Sequence, residues 1–148
     1  MTEEKVLAAE DAPPAFSVLE TVRFGDLDAM QHLNNVEVLR YFETARIAYL
    51  GQKLPEHSPT VRDEFGWILA ECHVNYRSPG FFGEALRVFI RPGELRRSSF
   101  ELRFEIRAED DDRLVAEGSG VMVGYDYDAG RAAHIPEHIK ERLAIDAA

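Results

Sequence analysis

Cysteine occurs once in the 148 residues, at Cys72, so no internal disulfide is possible, and a reducing cytoplasmic setting is the expectation. No apolar run approaches the ~20 residues that cross a bilayer. The first residues, MTEEKVLAAEDAPPAF, lack the basic start and apolar stretch of a signal or transit peptide. Basic residues are scarce: 17 Lys and Arg stand against 27 Asp and Glu, a formal charge of −10. Such a surface repels nucleic acid and anionic membrane, and both are set aside as partners. There is no glycine loop of the phosphate-cradling kind. His134 and His138 have helical spacing, but Pro136 lies between them and no Glu accompanies them, so no metal site is expected. Repeats and low-complexity stretches are missing as well.

The remaining composition is that of one soluble domain, with 45% hydrophobic and 30% charged residues. Residues 1–15 are acidic, end in two prolines and show no period, and read as a tail; residues 16–148 read as a single domain. Phe16, Val18, Val22 and Phe24 share one parity, the mark of a half-buried strand, with Glu20 out of pattern. The period then becomes helical. Val38, Phe42, Ala45 and Tyr49 form a stripe widened by Leu39 and Ala48. Glu37 with Arg40 and Glu43 with Arg46 are spaced to pair along that helix. Asn34 suits the N-cap, Glu37 suits the carboxylate half of a capping box, and Gly51 suits the stop.

Strand patterns follow. Ile68, Ala70, Cys72, Val74 and Tyr76 alternate with Leu69, Glu71, His73 and Asn75, which assigns Cys72 to the core. Leu86, Val88 and Ile90 precede a Pro92-Gly93 turn. FELRFEIRA gives one wet and one dry face. Glu109 to Asp112 form an acidic hairpin tip, and a last long strand follows from Leu114 to Tyr125. Pro136 suits the first position of a short closing helix. The expected fold is α+β: an antiparallel sheet of about five strands around one long helix. A sheet of this kind has edges, and pairing two copies is one way to cover them.

Chemistry concentrates between Arg23 and Arg46, in RFGDLDAMQHLNNVEVLRYFETAR. Two carboxylates, a histidine and two asparagines lie between a strand and a helix start, whose unpaired N–H groups can hold an oxyanion. A nearby carboxylate can attack a carbonyl, or deprotonate a water that does so. The combination suits acyl transfer.

Those residues resemble the 4-hydroxybenzoyl-CoA thioesterase group of hot-dog proteins, whose signature is roughly R-x-x-D-x-D-x-x-G-H-x-N-N. Arg23, Asp26, Asp28, His32, Asn34 and Asn35 match it, followed by Glu43, Ala45 and Arg46. Tyr76 with Pro79 and the segment IPEHIKERL match later motifs of the same group, so the likeness runs from Phe16 to Leu143. It implies an acyl-CoA thioesterase with a hot-dog fold, Asp28 as catalytic carboxylate, and an oxyanion hole at the helix start. Backbone N–H groups near Asn35 and Val36 would form that hole. It also implies an active site at the interface of a homodimer or homotetramer. Gln31 stands where the group has glycine.

Substrate-contact candidates are His32, Asn34 and Glu43, each with an alternative: loop orientation for His32, capping for Asn34, a structural pair with Arg46 for Glu43. Asp26 reads as a turn former. Coenzyme A is polyanionic, so an acidic protein must offer it local cations, and Arg91, Arg96, Arg97 and Ser98 are the candidates. No cofactor is expected beyond coenzyme A as part of the substrate. Two other activities fit the same fold, non-catalytic acyl-CoA binding and a hydratase using Asp28 and His32. The run D-x-N-P-x-H that marks such hydratases is missing.

Overall fold

In a computed structural model of the chain, residues 16–58 and 65–147 are described. The expected tail and Pro59 lie outside them. β1 (Phe16–Thr21) leads through a 3-10 turn (Phe24–Asp26) into the helix α1 (Asn35–Lys53), and a second 3-10 turn (Pro55–His57) follows. Then come β2 (Phe65–Tyr76), β3 (Ala85–Leu95), β4 (Ser99–Ala108), β5 (Leu114–Asp126), the two-residue β6 (Arg131–Ala132) and the helix α2 (Glu137–Asp146). The sheet is antiparallel in the order β1-β3-β4-β5-β2, with β6 attached to β5. This is the hot-dog architecture, one curled sheet around one long helix.

The helical stripe is buried at Val38, Phe42, Ala45 and Tyr49 as its spacing implies, but Leu39, expected to widen it, is exposed, and Tyr41 and Leu50 widen it instead. Val38, Tyr41, Phe42, Ala45, Tyr49 and Leu50 are buried, in one core with Leu86, Val88 and Ile90 of β3 and Leu102, Phe104 and Ile106 of β4. Phe42 stacks on Phe104 at 4.3 Å, and burial of such a side chain contributes about 2–3 kcal/mol. Gly120 of β5 lies under Phe42: a Cβ there would stand 3.1 Å from the ring. α2 buries Ile139 and Leu143, and its Asp146 accepts a bond from the Tyr49 hydroxyl at 2.8 Å and pairs with Lys53 at 2.8 Å.

Several expectations fail for identifiable reasons. β1 stops at Thr21, and Phe24 begins the 3-10 turn with 78% of its surface exposed. Gly51 does not end α1. Leu54, fully buried, draws one more half-turn of chain inward and becomes the C-cap. Glu37 does not complete a capping box, because the Asn34 N–H it would accept already donates to the Asp26 carbonyl at 2.9 Å. Pro136 is the N-cap of α2 rather than its first residue.

Cys72 is exposed, not core. A bulge at Ala70 shifts the β2–β5 register, so the inward parity before it belongs to Trp67 and Leu69. β2 is also an edge strand with nothing beyond it among the described residues. Pro92-Gly93 is not a turn either: β3 runs through both, with a register irregularity against β4. That separates Arg91, inside the strand, from Arg96 and Arg97 at its end.

Candidate active site

The segment 27–33 folds back on itself as a miniature hairpin. Leu27 and Leu33 form an isolated bridge, the Asp28 N–H donates to the His32 carbonyl at 2.9 Å, and the Gln31 N–H donates to the Asp28 carbonyl at 3.0 Å. A three-residue loop of this kind is a turn followed by one residue in the left-handed region, the usual place for glycine. Gln31 occupies that position with φ of +66°. The glycine of the signature that the sequence resembles thus has a backbone explanation, and Gln31 adopts the left-handed conformation at a cost of about 1–2 kcal/mol.

The Asp28 side chain belongs to the same turn. Its Oδ1 accepts the N–H groups of Met30 at 2.9 Å and His32 at 3.2 Å. Among the described residues no hydrogen bond reaches its Oδ2. The turn is fastened on both sides. The Leu33 N–H donates to the Gly80 carbonyl at 2.8 Å, and the His32 ring meets Phe81 edge-on at 5.5 Å.

Asp26 anchors the loop from beneath. It is the one charged residue buried among those described, 7% exposed. Its Oδ2 accepts the Tyr41 hydroxyl at 2.6 Å and the Arg23 N–H at 3.0 Å. Burial alone would push the Asp26 carboxyl up, but these bonds and the Arg23 charge outweigh it and hold the pKa below the ordinary value. Burial, then the bond to the Asp26 carboxylate, push the Tyr41 phenol up. The sequence marked Asp26 only as a turn former. The available signal was Tyr41, which joins the buried stripe with a hydroxyl that needs a partner.

Above this anchor lies a cavity of about 290 Å³ lined by Asp28, His32, Asn35, Val38, Tyr76 and Arg77, with Leu33, Pro79 and Val115 among its apolar walls. It gathers a carboxylate, an imidazole and the start of a 19-residue helix. Asn34 caps that helix, its Oδ1 accepting the Val36 N–H at 2.9 Å, and its carbonyl accepts the Glu37 N–H at 2.8 Å. Of the first-turn donors only the Asn35 N–H has no partner among the described residues. The Tyr76 hydroxyl donates to the Asn35 carbonyl at 3.3 Å and holds the helix start against the end of β2.

Asp28, His32 and Asn35 of the expected site residues thus meet in one cavity. Asn34 and Val36 adjoin it but bind each other. Glu43 does not line it: its carboxylate lies 3.6 Å from the Arg46 guanidinium, which sits over the Phe42 ring. The arginines go elsewhere. Arg91 donates to the Asp146 carbonyl at 3.1 Å. Arg96 pairs with Glu94 at 2.9 Å in a separate depression beside His73 and Glu101. Arg97 is exposed at the same β3–β4 connection, and Ser98 gives its carbonyl to the Gly124 N–H. The cation that does line the cavity, Arg77, was not among the candidates. Among the described residues no cluster of three or more His, Cys, Asp or Glu could hold a metal ion, and no helix is long and apolar enough to cross a membrane.

A curled antiparallel sheet around one long helix defines a hot-dog protein, and its carboxylate loop lies at that helix's start. A family model for the thioesterase-like superfamily matches residues 22–143, and the chain belongs to that superfamily. It is 28% identical over 130 residues to the long-chain acyl-CoA thioesterase FadM of Escherichia coli, covering 82% of this chain and 92% of that one. It is 25% identical over 142 residues to a 1,4-dihydroxy-2-naphthoyl-CoA hydrolase of Synechococcus, covering 88% and 90%. A crystal structure of a thioesterase complexed with coenzyme A and Zn from Thermus thermophilus aligns with a TM-score of 0.75 at 34% identity, covering 88% of this chain and 93% of that one.

Proposed function

We propose that the protein is an acyl-CoA thioesterase, a hydrolase whose chemistry is carried out by Asp28 at the start of α1. The observation that carries this reading is that Asp28 and Asn35 line one cavity and that the Asn35 N–H has no partner among the described residues. A thioester carbonyl bound with its oxygen at the Asn35 N–H gains a donor backed by the helix dipole, and that donor strengthens as the oxygen becomes an oxyanion. Asp28, free at Oδ2, either attacks the carbonyl carbon or takes a proton from the attacking water. Collapse of the intermediate expels coenzyme A as the thiolate. His32, bound through its own N–H to Asp28, fixes the carboxylate's orientation. No cofactor is called for.

The working unit we infer is a homodimer or a dimer-based tetramer, with the site at the interface. Support comes from β2, a 12-residue strand on the sheet edge with Ile68, Cys72 and Tyr76 exposed. Its last residue, Tyr76, lines the cavity, so the cavity opens where a second copy would pair. Antiparallel pairing of β2 with its own copy would reverse the partner. The far end of the partner's sheet, with its equivalents of Arg96, Arg97 and Ser98, would then lie toward this cavity and be available to phosphates.

The test is thiol release from a panel of short, long and aromatic acyl-CoAs by the wild-type protein and Asp28→Asn. Cleavage by the first and not the second is expected. Binding without cleavage by the wild type would make the protein a non-catalytic acyl-CoA binder. Single turnover in ¹⁸O-labelled water separates the two roles of Asp28, because label enters its carboxylate only if it is the nucleophile.

A further inference from the structure

A protein of charge −10 that takes a polyanionic substrate needs a cation where the substrate sits. The arginines with the best sequence credentials lie away from the cavity. Arg77 lines it, beside Tyr76 and Ser78, and is the one Lys or Arg to do so among the described residues.

Its bonding leaves it available. The Arg77 Nε donates to Glu117 Oε2 at 2.9 Å, and among the described residues that is the only hydrogen bond of its side chain. A guanidinium carries five N–H donors in a planar fork, so the terminal nitrogens keep theirs. Half of the Arg77 side chain, 51%, is exposed. An ion pair this open contributes at most about 1 kcal/mol and exchanges readily for another anion. Arg113, which reaches the lining residues Ser78 and Pro79, is committed more fully: it holds both Glu84 oxygens, Asp111, the Ser78 hydroxyl and the Pro79 carbonyl.

On a protein of net charge −10, Arg77 is the local cation that an anion entering the cavity meets. The inference rests on the thioesterase reading above and names a recognition element for it.

We propose that Arg77 is a substrate-binding residue that exchanges Glu117 for an anionic group of the thioester, either a phosphate of the coenzyme A nucleotide or a carboxylate on the acyl group. Glu117 is then a placeholder that keeps the guanidinium extended when no substrate is present.

The experiment measures dissociation constants by calorimetry in the Asp28→Asn background, which keeps the thioester intact. Hexanoyl-CoA, hexanoyl-pantetheine and glutaryl-pantetheine are compared, with Arg77→Gln, Arg77→Lys and Glu117→Gln added separately and the melting temperature recorded for each. Arg77→Gln is expected to weaken an anionic thioester at least tenfold, Arg77→Lys to restore part of that loss, and Glu117→Gln to tighten binding two- to fivefold. A loss with hexanoyl-CoA alone assigns the anion to the nucleotide, and a loss with glutaryl-pantetheine assigns it to the acyl group. An equal loss with uncharged hexanoyl-pantetheine, or no loss with either anionic ligand, overturns the proposal. If no thioester binds with Arg77 intact, it is the thioesterase reading that fails.

Discussion

The Tyr41 hydroxyl donates to the buried Asp26 carboxylate across 2.6 Å, joining the second turn of α1 to the loop that carries Asp28. The same Asp26 gives its carbonyl to the Asn34 N–H, so one residue fixes both the loop and the helix cap.

Removing that hydroxyl should cost stability and geometry together. Tyr41→Phe leaves a buried carboxylate short of one donor and is expected to lower unfolding free energy by about 2 kcal/mol. Urea denaturation measures it. A change below about 0.5 kcal/mol would mean that the pair does not anchor the loop.

Acid should act through the same group. The folded-state pKa of Asp26 is depressed, so its contribution is fully present above the ordinary aspartate pKa and is lost as pH falls through the folded value. The expected signature is a stability difference between wild type and Asp26→Asn that is constant near neutrality and shrinks below about pH 4. A difference that persists undiminished at pH 2 would assign the effect to packing rather than charge.

Asp28→Asn separates chemistry from structure. The amide oxygen can still accept the Met30 and His32 N–H groups, so the turn should hold and the melting temperature should move little. Turnover should fall on the order of 10²–10⁴-fold, the range for loss of a general base. Retained turnover would move the catalytic carboxylate elsewhere.

Gln31 offers a backbone test. Gln31→Gly relieves the left-handed penalty but loosens the unfolded chain, for a net gain of roughly 0.5 kcal/mol; Gln31→Val should lose about 1–2 kcal/mol, since branching at Cβ worsens the same φ. Unfolding midpoints of the two variants decide it, and equal midpoints would contradict the turn geometry.

The β2 edge makes an assembly prediction. Light scattering should give a mass at a multiple of 16.8 kDa, and Ile68→Lys with Cys72→Lys, placing two charges on that strand, should shift it toward one copy. A wild-type protein that sediments as a single copy would remove the interface reading.

What the sequence determined alone is whatever depends on local period and chain neighbours. The stripe through Val38, Phe42, Ala45 and Tyr49 specified α1 and its buried face, Asn34 specified where it starts, and FELRFEIRA specified β4. The Asp28 turn also closes within five consecutive residues, yet it was not read from the sequence, because Gln31 stands at its left-handed position in place of glycine. Tertiary structure alone decided everything that rests on distant contacts. α1 ran past Gly51 to Lys53, with its C-cap Leu54 fully buried in the core. The bulge at Ala70 and the edge position of β2 put Cys72 outside, although its parity pointed inward. Asp26 became a buried anchor because Tyr41 arrived beside it from a helix 15 residues on. Arg77 rather than Arg91, Arg96 or Arg97 reached the cavity, because β3 carries those three toward its far end while the β2–β3 connection passes beside the helix start. Spacing along a chain records which residues can share a face. It does not record which face of another element they meet.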